Sequence, residues 1–246
     1  MTFKHFTFNH IKLDKIDSTN SYLHELNSQK KQVNGTIVSA RNQTLGKGQT
    51  GNTWYTEEDK NLTFSIVTYP NIQIKHAFYL NIISSLAVQK TLADLSISAK
   101  IKWPNDILVN KKKIGGILIE NQLNGSKINQ SVIGIGLNVN QSKFQTNLNA
   151  TSVLNEGKNI EIEDLLHQIY GYLDFYYNLL QESNFDLLKK LYYNHLFWRN
   201  EIGIFTDKHT EFRALLTGIS EIGLLELRLL DQTTKTFDIK DIKFIY

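Results

Sequence analysis

The chain of 246 residues contains no cysteine, two prolines and a single methionine. Without cysteine it can form no disulfide, bind no metal through thiolate and use no thiol nucleophile, which fits a reducing compartment. No stretch approaches the roughly 18 apolar residues that a membrane span requires. Residues 1–10 carry no basic segment leading into an apolar run, so neither membrane insertion nor secretion is expected. Excess charge of one sign is missing too: 27 basic against 24 acidic residues give a net charge of +3, short of what a duplex-DNA partner demands. Apolar residues at 41% and charged residues at 21% exclude disordered and collagen-like chains. A soluble, cytoplasmic, globular protein is expected, with room for one ordinary core and a small appendage. There is no internal repeat and no low-complexity tract.

What is present alternates strands with helices. A strand is expected over residues 8–16. Asp17-Ser18-Thr19-Asn20 then supplies the small polar side chains that cap helix starts, predicting a helix over 19–28. Strands over 35–40 and 62–69 flank a polar, glycine-containing loop, 41–61. Within 76–94, Phe78, Leu80, Ile83, Leu86, Ala87 and Leu92 recur at helical spacing, predicting a helix with one apolar face laid across a sheet. Antiparallel strands over 97–102, 107–109, 113–121 and 127–138 follow, with Asn124-Gly125 as the hairpin turn. Helices rich in Leu and Tyr are expected over 160–181 and 184–196. After Trp198 the pattern changes to strands at 201–205, 211–219, 223–230 and 236–246, which resemble a small barrel. The fold class is therefore α+β: a mixed, mainly antiparallel sheet with packed helices, in domains 1–197 and 198–246.

Four segments carry candidate chemistry. Gly46-Lys47-Gly48-Gln49-Thr50-Gly51 matches G-x-G-x-x-G, but a dinucleotide site needs a helix directly after the glycines, and here Trp54-Tyr55 leads toward another strand. A protein-kinase loop is excluded because no His-Arg-Asp or Asp-Phe-Gly triplet accompanies it. The loop reads either as an anion cradle of backbone N–H groups beside Lys47 or as a flexible surface turn. Lys102-Trp103-Pro104-Asn105-Asp106 places a cation, an amide and a carboxylate at a corner between strands. Its plain alternative is a turn with Trp103 in the core and Asp106 capping backbone amides. Lys113 precedes Ile114-Gly115-Gly116-Ile117-Leu118, and Gly134-Ile135-Gly136-Leu137-Asn138-Val139-Asn140 repeats the glycine pattern. Both suit either close approach of a ligand or tight sheet packing. Lys111 and Lys112 read as a solvated hairpin turn.

Taken in order, Asp17-Ser18-Thr19-Asn20, Gln43 with Gly46-Lys47-Gly48 and Trp54, Lys102 to Asp106, Lys113 with Gly116-Ile117-Leu118, and Gly134 to Asn140 resemble the biotin protein ligases. The likeness covers residues 8–142 by motif, and the tail agrees with that family's SH3-like C-terminal β-barrel in kind. The resemblance implies ATP-dependent conversion of biotin to biotinyl-5'-AMP and transfer of biotin to a lysine of a biotin carboxyl carrier protein. ATP and biotin are then substrates and Mg²⁺ the metal. On the same resemblance Lys113 and Asp106 are catalytic, with Asp106 also a Mg²⁺ ligand. Ser18, Thr19, Asn20, Gln43, Lys47, Gly48, Gln49, Lys113 and Gly116 would bind biotin. Lys47, Gln49, Asn52, Trp54, Lys102, Asn105, Asp106 and Asn138 would bind ATP, with Trp54 stacked on adenine. One departure stands out. The family loop commonly reads Gly-Arg-Gly-Arg-x-Gly-Arg, whereas Lys47, Gln49 and Asn52 stand here where those arginines would, which removes planar charged forks.

A winged helix that binds DNA has no room in the 16 residues before Asp17, so no DNA partner is expected. A lipoate or octanoyl transferase conflicts with Lys102 to Asp106, while a biotin-binding module without catalysis would be told apart by turnover. The chain is no carrier itself, because its only methionine is Met1 and the Met-Lys-Met acceptor is missing. The resemblance leaves room for a homodimer joined through sheet edges. The histidines, among them His5, His10, His24 and His76, lack metal-ligand spacing. Tyr170, Tyr172, Tyr176 and Tyr177 read as helix-interface residues.

Overall fold

A computed structural model describes residues 4–146 and 148–246. Strand β1 (Asn9–Ile16) leads through Ser18 into helix α1 (Thr19–Gln29). Ser18 is extended at φ −154°, and its hydroxyl accepts the Ser21 N–H at 3.5 Å, which starts the helix where the sequence predicts. β2 (Thr36–Gln43) then lies parallel to β1, with α1 as the crossover. β3 (Asn61–Thr68), the two-residue β4 (Ile72–Gln73) and helix α2 (Phe78–Asp94) follow. Strands β5 (Lys100–Lys102), β6 (Asp106–Val109), β7 (Lys112–Asn124) and β8 (Lys127–Asn138) complete one sheet of order β1-β2-β3-β8-β7-β6-β5, with β4 on the end of β8. All its pairings except β1–β2 are antiparallel.

Alternation along the strands assigns each face a different cover. Val38, Val67 and Val132 point to one side and close over Leu23 of α1. Their neighbours Ile37, Ile66 and Ile133 point to the other side, into the main core with α2, α3 (Ile162–Gln181) and α4 (Phe185–His195). The single apolar face expected for α2 is wrong. Ser84, Ser85, Gln89 and Thr91 are buried along with the apolar positions, because α2 is enclosed by sheet, α3 and α4. The hydroxyls of Ser84 and Thr91 donate to the carbonyls of Leu80 and Ala87 one turn back, which makes their burial tolerable. Tyr170, Tyr176 and Tyr177 are buried on α3 and Tyr172 half-buried, as expected of an interface.

Beyond α4 come β9 (Ile202–Thr206), β10 (Glu211–Ile219), β11 (Leu225–Leu229), β12 (Thr234–Phe237) and β13 (Lys243–Ile245). They form one antiparallel sheet of order β12-β11-β10-β9-β13, and the outer two strands share no ladder among the described residues. The single strand expected over 236–246 is two strands. The Asp238 carboxylate takes the Lys240 N–H and its carbonyl the Asp241 N–H, turning the chain between them. The β7–β8 turn is also displaced by one residue, since Asn124 pairs with Lys127 and Gly125 (φ +58°) and Ser126 form the loop. No helix among the described residues is long and apolar enough to cross a membrane.

Candidate active site

The face of the large sheet that carries α1 also carries a cavity of about 440 Å³, within the range of small-molecule sites. Its floor is made where side chains are absent. Gly116 on β7 pairs with Gly136 on β8, and Leu118 with Gly134. A Cβ on Gly134 would stand 2.3 Å from Asn20 Oδ1, and one on Gly136 would stand 2.5 Å from the Trp54 ring. These glycines let other residues of the site sit directly on the strands.

One wall is the start of α1. Ser18, Thr19 and Asn20 are nearly fully buried there, and Gln43 joins them from the end of β2. Gln43 Oε1 accepts the Thr19 N–H at 2.8 Å and the Thr19 hydroxyl at 3.1 Å. The Ser65 hydroxyl, 2.7 Å from Thr19 Oγ1, donates to Asn20 Oδ1 at 2.5 Å. The second wall is the glycine loop, which is a folded turn. Trp54 N–H bonds Gly46 O, and Gly48 N–H bonds Asn52 O at 2.7 Å, so that amide is engaged within the loop. Lys47, Gly48, Gln49, Asn52 and Trp54 all line the cavity. Lys47 Nζ donates to the Ser21 hydroxyl at 2.8 Å and ties the loop to α1.

The third wall holds the charges. Asp106 lies between Lys113, 2.5 Å from its Oδ1, and Lys102, 3.7 Å from its Oδ2. All three side chains are partly buried, so their attraction is less screened than that of a surface pair. A bulge brings Lys113 here. Ile107 pairs with Gly115 and Leu108 with Lys113, leaving Ile114 as the extra residue, so Lys113 and Gly116 share the cavity face. The Lys113 side chain passes over Gly116, where a Cβ would come within 3.2 Å of its Nζ, and the ammonium lies 5.6 Å from the Trp54 ring centre. Its backbone is held by Asn149, whose carbonyl takes the Lys113 N–H, and by Thr151, whose N–H bonds Lys113 O.

Of the residues expected at the site, all line this cavity except Asn138. Asn138 is buried beside it, and its amide donates to Thr151 O at 3.0 Å and toward Lys113 O at 3.5 Å, which makes it a support for Lys113's strand. Asn105 lines the cavity, yet its amide also donates to Ile117 O, and its carbonyl accepts the Ile117 N–H. Trp103 is in the core, as the plain alternative had it, with its indole N–H on Gly223 O at 2.9 Å, while Asp106 faces cations instead of capping amides.

The fourth wall was not predicted residue by residue: Ile239 and Ile242 of the turn after β12, with Lys243 and Phe244 of β13, enter the cavity. Lys243 has no carboxylate within ion-pair distance among the described residues. Lys102 Nζ lies 5.4 Å from the ring centre of Phe244 and 5.3 Å from that of Tyr246. Burial first, and the Asp106 charge next, push the Tyr246 phenol above its ordinary range, with Lys113 opposing. Alternation in 236–246 alone could not show that this end folds back over the first 197 residues.

Asp106 is the one described carboxylate on the cavity lining, and no cluster of three or more His, Cys, Asp or Glu that could hold a metal occurs among the described residues. The donor set therefore cannot cage a metal, but one carboxylate suits Mg²⁺ arriving with nucleotide phosphates as most of its ligands.

Residues 13–138 match the model of the biotin/lipoate A/B protein ligase family. The chain is 38% identical over 129 residues to the bifunctional ligase/repressor BirA of Bacillus spizizenii, covering 52% of this chain and 39% of that protein. It is 30% identical over 132 residues to the biotin–[acetyl-CoA-carboxylase] ligase of Mycobacterium tuberculosis, covering 51% and 47%. Each match spans less than half the length of these curated relatives. Among solved structures, the biotin protein ligase from Aquifex aeolicus in complex with biotin and ATP superposes with a TM-score of 0.78 at 25% identity, covering 96% of this chain and 98% of that one.

Proposed function

The chain belongs to the biotin/lipoate A/B protein ligase family, and on that premise we propose that it activates biotin with ATP and transfers it to a lysine of a biotin carrier protein. The observation that carries this reading is the Lys102–Asp106–Lys113 cluster, set on a floor of glycines and facing the polar start of α1 across one cavity. A cyclic urea offers a carbonyl acceptor between two N–H donors. Gln43 Nε2 has no protein partner among the described residues and is free to donate. Asn20 and Thr19, which line the cavity, have oxygen lone pairs left to accept.

The reaction follows from this arrangement. With its ring at the start of α1, biotin's carboxylate points along the glycine floor toward Lys113. There it attacks the α-phosphorus of ATP, the acyl oxygen–phosphorus bond forms, and pyrophosphate leaves. Two anions must approach, and the ammonium groups of Lys113, Lys102 and Lys47 lower that barrier by standing where negative charge gathers. Mg²⁺, held by Asp106 and the phosphates, would add charge at the same place when bound. In the second half-reaction the carrier's lysine amine attacks the acyl carbon, the carbon–nitrogen bond forms and AMP departs. Asp106 is placed to orient that amine and accept its proton. Trp54 supplies an apolar surface for adenine.

The test is transfer of biotin to a purified carrier domain with Mg²⁺ and ATP. Labelling supports a ligase, whereas biotin binding without labelling identifies a binding module and overturns the reading. The loop makes a second expectation. Gln49 and Asn52 cannot grip phosphate through charged forks, so Gln49→Arg is expected to slow release of the adenylate by about tenfold, one added charged contact being worth about 1.5 kcal/mol. Equal release rates would show that the missing arginines do not matter. Beyond Ile117 the outer edge of β7 pairs with no described strand, and we place a homodimer contact there. The dependence on ATP and the absence of cysteine favour a cytoplasmic setting.

A further inference from the structure

We propose that Glu120, which lies outside the cavity lining, is a positioning residue that fixes the hydrogen-bond polarity of the urea-binding end of the site through Asn20. The inference rests on the biotin reading above. Glu120 is on β7, pairs with Val132 across the sheet and points to the α1 side. Its Oε2 accepts from Asn20 Nδ2 at 2.8 Å and lies 3.5 Å from His24 Nε2 on α1. Those two contacts, that of His24 being the larger, hold its carboxyl below the usual range against the desolvation that acts the other way, and the Lys47 charge adds to them.

An asparagine amide is nearly the same shape either way round, so its partners decide which end is oxygen. Asn20 is 3% exposed and pressed onto Gly134, with its oxygen at the place a Cβ would take. It can turn over in place but cannot leave. An ionised carboxylate only accepts, so Glu120 holds the NH₂ end toward itself and leaves Oδ1 toward Ser65. Ser65 then gives its proton to Asn20, and Thr19 gives its own to Gln43. The remaining lone pairs of Asn20 and Thr19, both on the cavity lining, are the acceptors left for the urea N–H groups, with Ser65 buried behind them. With Asn20 turned over, an N–H would meet an N–H at this position.

Three substitutions separate polarity from charge and packing. Glu120→Gln keeps an acceptor oxygen opposite Asn20 and is expected to hold biotin within about threefold of wild type. Glu120→Lys offers only donors there. It is expected to weaken biotin binding, and raise its KM, by about thirtyfold, the penalty of an unmatched buried polar pair. In that variant kcat at saturating biotin and KM for ATP stay unchanged, a split that general damage to the fold would not give. His24→Ala, which leaves the Glu120–Asn20 bond in place, is expected to bind biotin within about twofold of wild type by the same reasoning. Calorimetric titration with biotin and initial rates read all three, with the thermal midpoint as a check on folding. Full affinity in Glu120→Lys, or equal losses in Glu120→Gln and Glu120→Lys, would overturn the assignment. A folded wild type that binds no biotin overturns the functional reading and this inference with it, whereas the former outcomes leave the functional reading standing.

Discussion

Lys113→Ala is expected to slow formation of the acyl-adenylate by on the order of 10²–10³-fold, the loss seen when one preorganised charge-stabilising group is removed from an active site. The ammonium lies 2.5 Å from Asp106 and above Gly116, and its backbone is held on both sides by residues 149 and 151. Removing it takes a cation from the point where two anions meet and leaves Asp106 with only Lys102, at 3.7 Å. Both changes raise the barrier to the first half-reaction more than they weaken biotin binding, because the urea end is held separately. Lys113→Arg should not restore the rate, since a planar guanidinium spreads the charge that the ammonium presents as a compact point. Biotin-dependent exchange of labelled pyrophosphate into ATP measures the step. An exchange rate equal to wild type would remove Lys113 from the chemistry.

The second large effect is on stability. Gly223 has φ +87°, and a Cβ there would meet Phe78 Cγ at 2.2 Å, while its carbonyl accepts the Trp103 indole N–H. Gly223→Ala combines left-handed strain with a collision against a rigid aromatic ring and should cost about 2–4 kcal/mol. For a chain of this size that lowers the melting temperature by roughly 5–15 °C. Gly157 is the control. Its φ is +78° with nothing within 4 Å of a Cβ, so Gly157→Ala should cost only about 1 kcal/mol, the conformational part alone. Thermal unfolding of the two variants side by side tests the comparison. Because Trp103 borders Pro104, Gly223→Ala should also lower turnover, and equal stability of the two variants would show that the small sheet does not brace the corner.

What the sequence discloses is what lies close together along it. Ser18 marks the start of α1 because a cap needs only its own next residues, and the Lys102 to Asp106 corner is a local motif with local consequences. Helix α3 was legible because one of its faces is wet, so apolar residues recur with a period. Helix α2 was legible as a helix but not in its surroundings, since burial on all sides also admits Ser84 and Thr91. The charged wall was visible as residues but not as geometry. Nothing near Lys113 in the chain says that it meets Asp106, because that depends on pairing between β6 and β7. Lys243 reaches the site, and Glu120 reaches Asn20 behind it, from strands whose local patterns are ordinary, and the end of the chain looked like one strand because the Asp238 turn contains no glycine or proline. Asn138 was expected beside the nucleotide on family likeness, and its side chain instead serves the backbone around Lys113.

The extra residue at Ile114 also sets a rule of parity. From Asp106 to Lys113 the chain must cross a turn and arrive on the same side of the sheet, and one unmatched residue decides whether it does. A hairpin shortened or lengthened by a single position, with regular pairing restored, would still fold and still bury its apolar residues, yet would carry its lysine on the opposite side, away from Asp106. Length variation here is therefore not the harmless variation of a surface turn. Among related sequences, gaps between these two positions should come in pairs, or be accompanied by a second irregularity that restores the count.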